Sequence, residues 1–336
     1  MKYLNFILIG ICCVLCSVCS CVTGTGDITA QILGNTSEGP VFLSCKAVSE
    51  TEINFLFSVP VSVTTVYFSP QVKVDSVEGG STVRIHISGG PGPGEKLTAD
   101  ILAEDENGNT INVLVPFRTR NSRIPPILIT ELRTEYSRPR AEFIELRTLE
   151  AGNLGALRVF VASNNKSPMI YEFPSVEAAA GEYITIHLRT LDEAVSRDEL
   201  GDNLDLSGGT DSWPTARDIW IPGAVKIIRK TDAVYLLDQD DNVLDAVMIS
   251  EKADPWWNSE HFAELADFLF NAGAWKSPDG KICSPAESVI SNGTTATRTI
   301  CRDESVENSN TAKDWYITVT SGATPGRANN PKRYVP

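Results

Sequence analysis

Residues that could carry out acid, base or nucleophilic chemistry are few in this sequence. The histidines are His86, His187 and His261. None of them comes with a Gly-x-Ser-x-Gly elbow, the turn that presents a serine nucleophile to a base. Glu142 and Glu145 lie three residues apart on a strand-like segment, so they would point to opposite faces and could not flank one substrate bond. We therefore expect no enzymatic activity, and we interpret Glu145 as an acceptor of backbone hydrogen bonds.

Metal-ligating patterns are limited to two acidic segments, of which the looser one contains Asp202, Asp205 and Asp211. Asp238, Asp240 and Asn242 alternate as the oxygen ligands of a calcium loop do. The glycine and the terminal glutamate of an EF-hand are missing, and hairpin turns favour aspartate and asparagine in any case. The cysteine spacing does not indicate zinc. We expect neither a metal nor another cofactor. The segment with Asp238, Asp240 and Asn242 is the weak calcium candidate.

Tryptophan is concentrated in two segments of the second half of the chain. Five of the six tryptophans lie there. They are Trp213, Trp220, Trp256, Trp257 and Trp275. Exposed aromatic rings stack on sugars and anchor protein partners, so we predict a binding surface. The alternative is that Trp256, Trp257 and Trp275 cover a neighbouring helix.

The first 20 residues have the pattern of an export signal. Lys2 precedes an apolar run of about 15 residues, which is shorter than the roughly 20 that a transmembrane helix needs. The run ends in Val18-Cys19-Ser20-Cys21, which resembles the lipobox of bacterial lipoproteins. This resemblance implies removal of residues 1–20 and acylation of Cys21. The alternatives are acylation at Cys16 or Cys19, or an ordinary cleaved signal.

The remaining cysteines are Cys45, Cys283 and Cys301. Cys45 is in register with Val41 and Leu43, which predicts one buried face of a strand. Cys283 and Cys301 flank a turn in a chain that we expect to be exported, and they could either form a disulfide or stay apart. In the chain-entropy model, closing a loop of that size stabilises by roughly 3 kcal/mol.

Charge and length set the partners and the number of domains. The 29 basic and 43 acidic side chains give a net charge of −14, and such a surplus repels nucleic acid and anionic lipid. We expect no nucleic-acid partner, and membrane attachment through the N-terminal lipid alone. At roughly 150 residues per domain, 336 residues suffice for two.

Residues 21–122 have the period-two pattern of a β-sandwich. Strand segments are predicted at 41–47, 54–59, 65–68, 83–87, 97–103 and 111–117. The pair Asn107-Gly108 predicts a tight hairpin between the last two. Residues 58–61 and 94–117 resemble the bacterial immunoglobulin-like modules of surface proteins, which implies a fold and no site.

Residues 123–336 contain a second set of strand motifs. They are Ile129-Thr130-Glu131-Leu132, Glu142-Phe143-Ile144-Glu145-Leu146, a hairpin over 234–247, Arg298, Asp314-Trp315 and Thr324-Pro325-Gly326-Arg327-Ala328-Asn329. In combination they resemble the lamin tail domain family over residues 127–330. The resemblance implies an immunoglobulin-like β-sandwich. Segments 190–222 and 250–290 exceed the usual family length, and we interpret them as insertions.

The second insertion contains a predicted helix. Phe262, Leu265 and Leu269 recur at helical spacing, Ser259 can cap the start, and Gly273 can end the helix in a left-handed turn. The fold class that we predict is mainly β, with two immunoglobulin-like sandwiches, the second carrying a helix-containing insertion.

The expected function is that of a lipid-anchored protein of the bacterial cell envelope. It would act as a non-enzymatic binding or structural module and present its aromatic-rich insertion to a protein or glycan partner. The alternative is an exported hydrolase, a nuclease or phosphatase, or an accessory subunit of one, because lamin tail relatives in bacteria often accompany such enzymes.

Overall fold

The structure of the chain is a computed structural model that describes residues 39–163 and 168–336. These residues form two compact units. Unit 1 comprises 39–90 and 97–117, and unit 2 comprises 91–96 and 118–336. The predicted leader and the acylation candidate Cys21 lie outside the described residues. The prediction of a mainly β chain with β-sandwich domains is confirmed.

The strands of unit 1 belong to one six-stranded sheet, in which β1 pairs with β2 beside the order β3-β4-β2-β5-β6. They are β1 (Phe42–Ala47), β2 (Glu52–Ser69), β3 (Lys73–Glu78), β4 (Gly80–Ser88), β5 (Lys96–Asp105) and β6 (Thr110–Arg118).

β2 is 18 residues long and serves both halves of this sheet. Residues 52–56 pair with β4 and residues 53–57 with β1, whereas residues 61–69 pair with β5. Phe55 from the first part and Ala99 opposite the second part are both fully buried in one core, so the sheet wraps around its own interior. The prediction of two separate strands at 54–59 and 65–68 is therefore wrong. Pro60, which cannot donate to a ladder, lies where β2 changes partners.

A bulge in β1 overturns the predicted alternation along that strand. Phe42 is paired with Phe57 and Ser44 with Leu56, so Leu43 is an additional residue in the ladder. As a result Phe42 and Cys45 both pack against the core, whereas Val41 and Leu43 are 54% and 55% exposed. The prediction of an inward face is correct for Cys45 and wrong for Val41 and Leu43.

The predicted hairpin between β5 and β6 is confirmed. Gly108 has a φ of +80°, which a residue with a side chain rarely adopts. The carboxylate of Asp105 accepts hydrogen bonds from the backbone N–H groups of Asn107 and Asn109, at 2.8 and 2.9 Å, and from the Asn109 amide at 2.9 Å. The side chain of Asp105 therefore fixes the turn from inside.

Unit 2 contains a six-stranded sheet in the order β14-β13-β8-β7-β18-β19, a five-stranded sheet in the order β11-β10-β15-β16-β17, and the short pair β9-β12. The strands are β7 (Ile127–Arg133), β8 (Phe143–Thr148), β9 (Gly152–Asn153), β10 (Arg158–Val161), β11 (Met169–Glu172), β12 (Glu177–Ala178), β13 (Tyr183–His187), β14 (Arg217–Trp220), β15 (Asp232–Leu237), β16 (Val243–Ser250), β17 (Val289–Ile290), β18 (Ile300–Arg302) and β19 (Trp315–Ile317).

The two larger sheets of unit 2 share one apolar core. Ile144 and Ile186 from the first sheet and Val159 and Val247 from the second are all 0% exposed within it. Several strands are buried on both faces, because consecutive residues such as Val247 and Met248 of β16 both belong to this core. The prediction of a β-sandwich in this part of the chain is confirmed.

The predicted helix is present as α1 (Glu260–Asn271). Leu265 and Leu269 are buried in the core of unit 2, and Phe262 packs against its edge. Gly273 takes a φ of +72° and ends the helix as predicted. Ser259 occupies the cap position, although its hydroxyl makes no capping hydrogen bond. Within the described parts of the chain, no helix is long and apolar enough to cross a membrane.

Candidate functional site

Two glutamates of the strand motifs lie opposite each other where β7 pairs with β8. Glu131 and Glu145 are register partners, and both are fully buried. Glu145 accepts hydrogen bonds from the Thr130 hydroxyl at 2.7 Å and from the Gly326 backbone N–H at 2.6 Å. Glu131 accepts from the N–H of Thr324 at 3.0 Å and from its hydroxyl at 3.1 Å. The prediction that Glu145 is a backbone acceptor is confirmed.

The environment of this pair favours the protonated form of one carboxyl. Burial raises the pKa of Glu131. Burial, and then the negative charge of Glu131, raise the pKa of Glu145 well above its ordinary value. Ionising both carboxyl groups at such a buried site costs free energy, because the two negative charges repel each other. Glu145 therefore keeps its proton to higher pH. The pair fastens segment 324–329 to the sheet.

The neighbouring Glu142 also has an internal partner. Both of its carboxylate oxygens contact the guanidinium of Arg189, one of them at 2.6 Å, and the carboxylate is fully buried. Because this two-point ion pair occupies both carboxylate oxygens, neither oxygen is free to exchange a proton with a substrate. Glu142 and Glu145 therefore make separate internal contacts, Glu142 with Arg189 and Glu145 with Thr130 and Gly326.

A buried ion pair joins the two sheets of unit 2. Arg302 of β18 donates to Asp245 of β16 at 2.6 Å, and the same carboxylate oxygen accepts the backbone N–H of Ile129 at 2.7 Å. Arg302 also donates to the Ile129 carbonyl at 2.7 Å, and its guanidinium lies 4.6 Å from the ring centre of Trp315. Arg298, which belongs to the strand motifs of the second half of the chain, stacks on the ring of Tyr334 at 4.1 Å.

A histidine and a tryptophan stack at the edge of the first sheet. The rings of His187 and Trp220 are 3.7 Å apart and nearly parallel, at 8°. His187 Nε2 lies 2.7 Å from a carboxylate oxygen of Asp218, and both side chains are 1% exposed. Trp220 donates its indole N–H to the Ser207 hydroxyl at 2.9 Å. This cluster is rigid and has little contact with solvent.

The other two histidines lie elsewhere in the fold. His86 belongs to β4 of unit 1, opposite Glu52 of β2. His261 is exposed in the first turn of α1, with its ring 5.7 Å from that of Phe262. Within unit 2, His187 of β13 and His261 of α1 thus belong to different elements and contact different partners.

The five tryptophans predicted to form a surface do not share one. Trp220 and Trp275 are 7% and 1% exposed, so their assignment to an exposed binding surface is wrong. Trp275 is buried because it fills the core beside α1. Trp213 lies under the guanidinium of Arg327 at 4.3 Å and is only half-exposed.

Trp256 and Trp257 remain together in the second insertion, where they have different roles. Trp257 stacks on Phe262 at 5.6 Å and donates its indole N–H to the Cys283 carbonyl at 2.8 Å, which fixes its ring. Trp256, the next residue, is 68% exposed. Trp257 is thus fixed in place, and the adjacent Trp256 protrudes into solvent.

Cys283 and Cys301 are both free thiols in buried positions, so of the two alternatives left open by the sequence, the structure shows the one without a disulfide. Cys301 lies within β18, where it pairs with Glu131 of β7 and Tyr316 of β19. Cys283 lies in the second insertion, and its thiol contacts the Ser284 carbonyl at 3.2 Å. Burial raises the pKa of the Cys283 thiol to about 12, which keeps it protonated and unreactive.

The calcium candidate is the turn between β15 and β16. One carboxylate oxygen of Asp238 accepts the backbone N–H groups of Asp240 and Asn242, at 2.8 and 2.9 Å, and the other accepts the Asn242 amide at 2.9 Å. This is the same arrangement as at Asp105. Asp240 pairs with Arg120. The alternating oxygens are therefore explained by turn geometry.

Several of these contacts could not be recognised in the sequence. The Asp245–Arg302 pair spans 57 residues, and the contact between His187 and Asp218 spans 31. Asp245 did belong to a predicted strand motif, where an acidic residue in an apolar strand indicates a buried partner. The sequence did not indicate where that partner lies, because its position depends on how the two sheets pack on each other.

Fold and site together define a β-sandwich protein whose polar motif residues are hydrogen-bonded inside the second sandwich. Residues 125–317, which lie within unit 2, match the protein family described as the TP_1001 protein second domain, and the chain belongs to this family.

The chain is also similar to an uncharacterized protein of Treponema pallidum (strain Nichols), with 30% identity over 200 residues. That alignment covers 56% of this chain and 49% of the relative, so the chain spans about half the length of the curated relative that it matches. No solved structure matches the chain.

Proposed function

We propose that this protein is a lipid-anchored, non-enzymatic binding module of the bacterial cell envelope, with Trp256 at the centre of its partner surface. The observation that carries the proposal is the 68% exposure of Trp256 beside the immobilised Trp257. A large aromatic side chain on a fixed support loses little conformational freedom when a partner covers it, which favours binding. Proteins and glycans both use such rings.

The geometry of the glutamates supports a binding role over the hydrolase alternative. Glu145 is fully buried, and both of its oxygens accept hydrogen bonds. A substrate would reach it only if the contact between β8 and segment 324–329 opened. Hydrolysis of a nucleic acid or phosphate ester by the purified protein that is lost in His261→Ala would contradict the binding proposal.

Replacing Trp256 with alanine should weaken partner binding by about tenfold or more, because a central aromatic anchor carries a large share of binding energy. The purified protein would be screened on arrays of envelope glycans and of host matrix proteins, and each hit titrated with the parent and the variant. Tyr67→Ala is the matched control, since Tyr67 of unit 1 is also 68% exposed. Equal affinity of the Trp256→Ala variant and the parent would refute the assignment of this surface.

The proposed anchor rests on the lipobox-like Val18-Cys19-Ser20-Cys21 and has its own test. Protease shaving of intact cells that express the full chain, followed by intact-mass analysis, should show a chain that starts at Cys21 and carries fatty acyl groups. Cys21→Ser should abolish the added mass, whereas Cys16→Ser should leave it. A freely diffusing chain without acyl groups would rule out the anchor.

A further inference from the structure

A cleft of about 200 Å³ opens in unit 2, beside the first insertion. Its walls combine charged, hydroxyl and aromatic side chains with a glycine backbone. Those that matter are Arg138, Asp192, Ser196, Gly209, Thr210 and Trp220. The cleft is smaller than the 300 Å³ or more of a typical pocket for a drug-sized ligand, so a single small molecule or one terminal sugar unit would fill it.

The aromatic wall of the cleft is held in place from behind. One face of Trp220 is stacked on His187, and the Trp220 backbone N–H donates to Asp198 at 2.7 Å. A side chain at Gly209 would collide with the Trp220 ring, because a Cβ there would lie 2.2 Å from the ring carbons. The absence of a side chain at position 209 is what admits the indole. A wall fixed in this way is formed before any ligand arrives.

Arg138 differs from the other arginines near the cleft. Arg133 and Arg189 are bound to the carboxylates of Asp211 and Glu142. Arg138 is exposed at the rim and has neither an ion pair nor a hydrogen bond to any side chain in the described residues. In a chain with a net charge of −14, a cation without a partner at a cleft is a ready site for an oxyanion.

Ser196 supplies a second polar group without a partner. Its hydroxyl oxygen is buried, and no group in the described chain bonds to it. A buried hydroxyl without a hydrogen bond costs free energy, which a ligand group in the cleft would recover. The Ser196 backbone N–H donates to the Asp192 carbonyl at 3.0 Å, which holds the backbone of this residue at the wall of the cleft.

The geometry points to a binding site for one acidic monosaccharide unit, a sugar ring that carries a carboxylate or a phosphate. Arg138 would bind the oxyanion, and Ser196 and Asp192 would exchange hydrogen bonds with ring hydroxyls. Trp220 would border the ring. Ser196 and Trp220 belong to the first insertion, whereas Arg138 lies between β7 and β8. The site is therefore separate from the surface proposed at Trp256 and can be tested separately.

Isothermal titration of the purified full chain with glucuronate, glucose 6-phosphate and glucose tests the site. We expect saturable binding of at least one charged sugar, and an affinity for neutral glucose that is lower by about tenfold or more. Arg138→Ala should reduce the affinity for the charged sugar by about tenfold or more, down to the level of glucose. Ser196→Ala should reduce it by roughly two- to tenfold.

Arg140→Ala is the matched control, because Arg140 is exposed on the same turn but does not line the cleft. Its affinity should equal that of the parent. Thermal unfolding of each variant confirms that the fold is kept, and Trp256→Ala should bind the sugars as the parent does. The site is overturned if no sugar binds, if glucose binds as tightly as the charged sugars, or if Arg138→Ala leaves the affinity unchanged.

Discussion

Replacing Arg302 with alanine is expected to lower the free energy of unfolding of unit 2 by about 3–5 kcal/mol, the range for breaking a buried ion pair from one side. The side chains of Arg302 and Asp245 are 4% and 1% exposed. Burial raises the pKa of Asp245 and the positive charge of Arg302 opposes that rise, so without the guanidinium the buried carboxyl group is left without its compensating charge. The Ile129 carbonyl would lose a donor as well.

Urea unfolding followed by tryptophan fluorescence measures this effect in unit 2 alone, because all six tryptophans lie there. The matched control is Arg333→Ala, whose partner is Asp303 and whose side chain is 55% exposed. An exposed pair of that kind contributes about 0–1 kcal/mol. If Arg302→Ala cost no more than Arg333→Ala, the buried pair would not be the contact that joins the two sheets.

Replacing Trp275 with alanine should cost about 3–5 kcal/mol of unfolding free energy, as for other large aromatic residues removed from a core. Trp275 is 1% exposed and packs where α1 meets the second sheet, and its backbone N–H donates to the Leu269 carbonyl at 3.2 Å. The deletion leaves a cavity that the surrounding strands cannot close, because they are held by their own ladders.

The same urea titration measures this loss. Trp256→Ala is the control, since a 68% exposed side chain lies outside the core and its replacement should change the free energy by less than about 0.5 kcal/mol. Trp275→Phe should recover part of the loss by filling some of the volume. Similar costs for Trp256→Ala and Trp275→Ala would contradict the assignment of these two tryptophans to different environments.

The sequence predicted those features that depend on neighbours along the chain. The helix at 260–271 followed from the spacing of Leu265 and Leu269 and from Gly273, and the hairpin at Asn107-Gly108 followed from two residues that accept positive φ. These signals are local, because periodicity and turn chemistry act within a few residues.

Features that depend on packing could not be predicted in this way. Composition does not distinguish Trp275 in the core from Trp256 on the surface, because both occur in the same polar insertion. The bulge at Leu43 reverses the face of its neighbours without altering the residue pattern. The unpartnered groups of the cleft, Arg138 and Ser196, come from segments 58 residues apart in the chain, and only the folded structure shows that they line one cavity.

The continuous strand β2 has a consequence for how unit 1 folds. Its residues 52–57 lie in the ladders with β1 and β4, while residues 61–69 form the ladder with β5. Neither half of this sheet can be expressed as a smaller folded fragment, since dividing the two halves would cut β2, which pairs in both of them. We therefore expect unit 1 to fold and unfold as a whole.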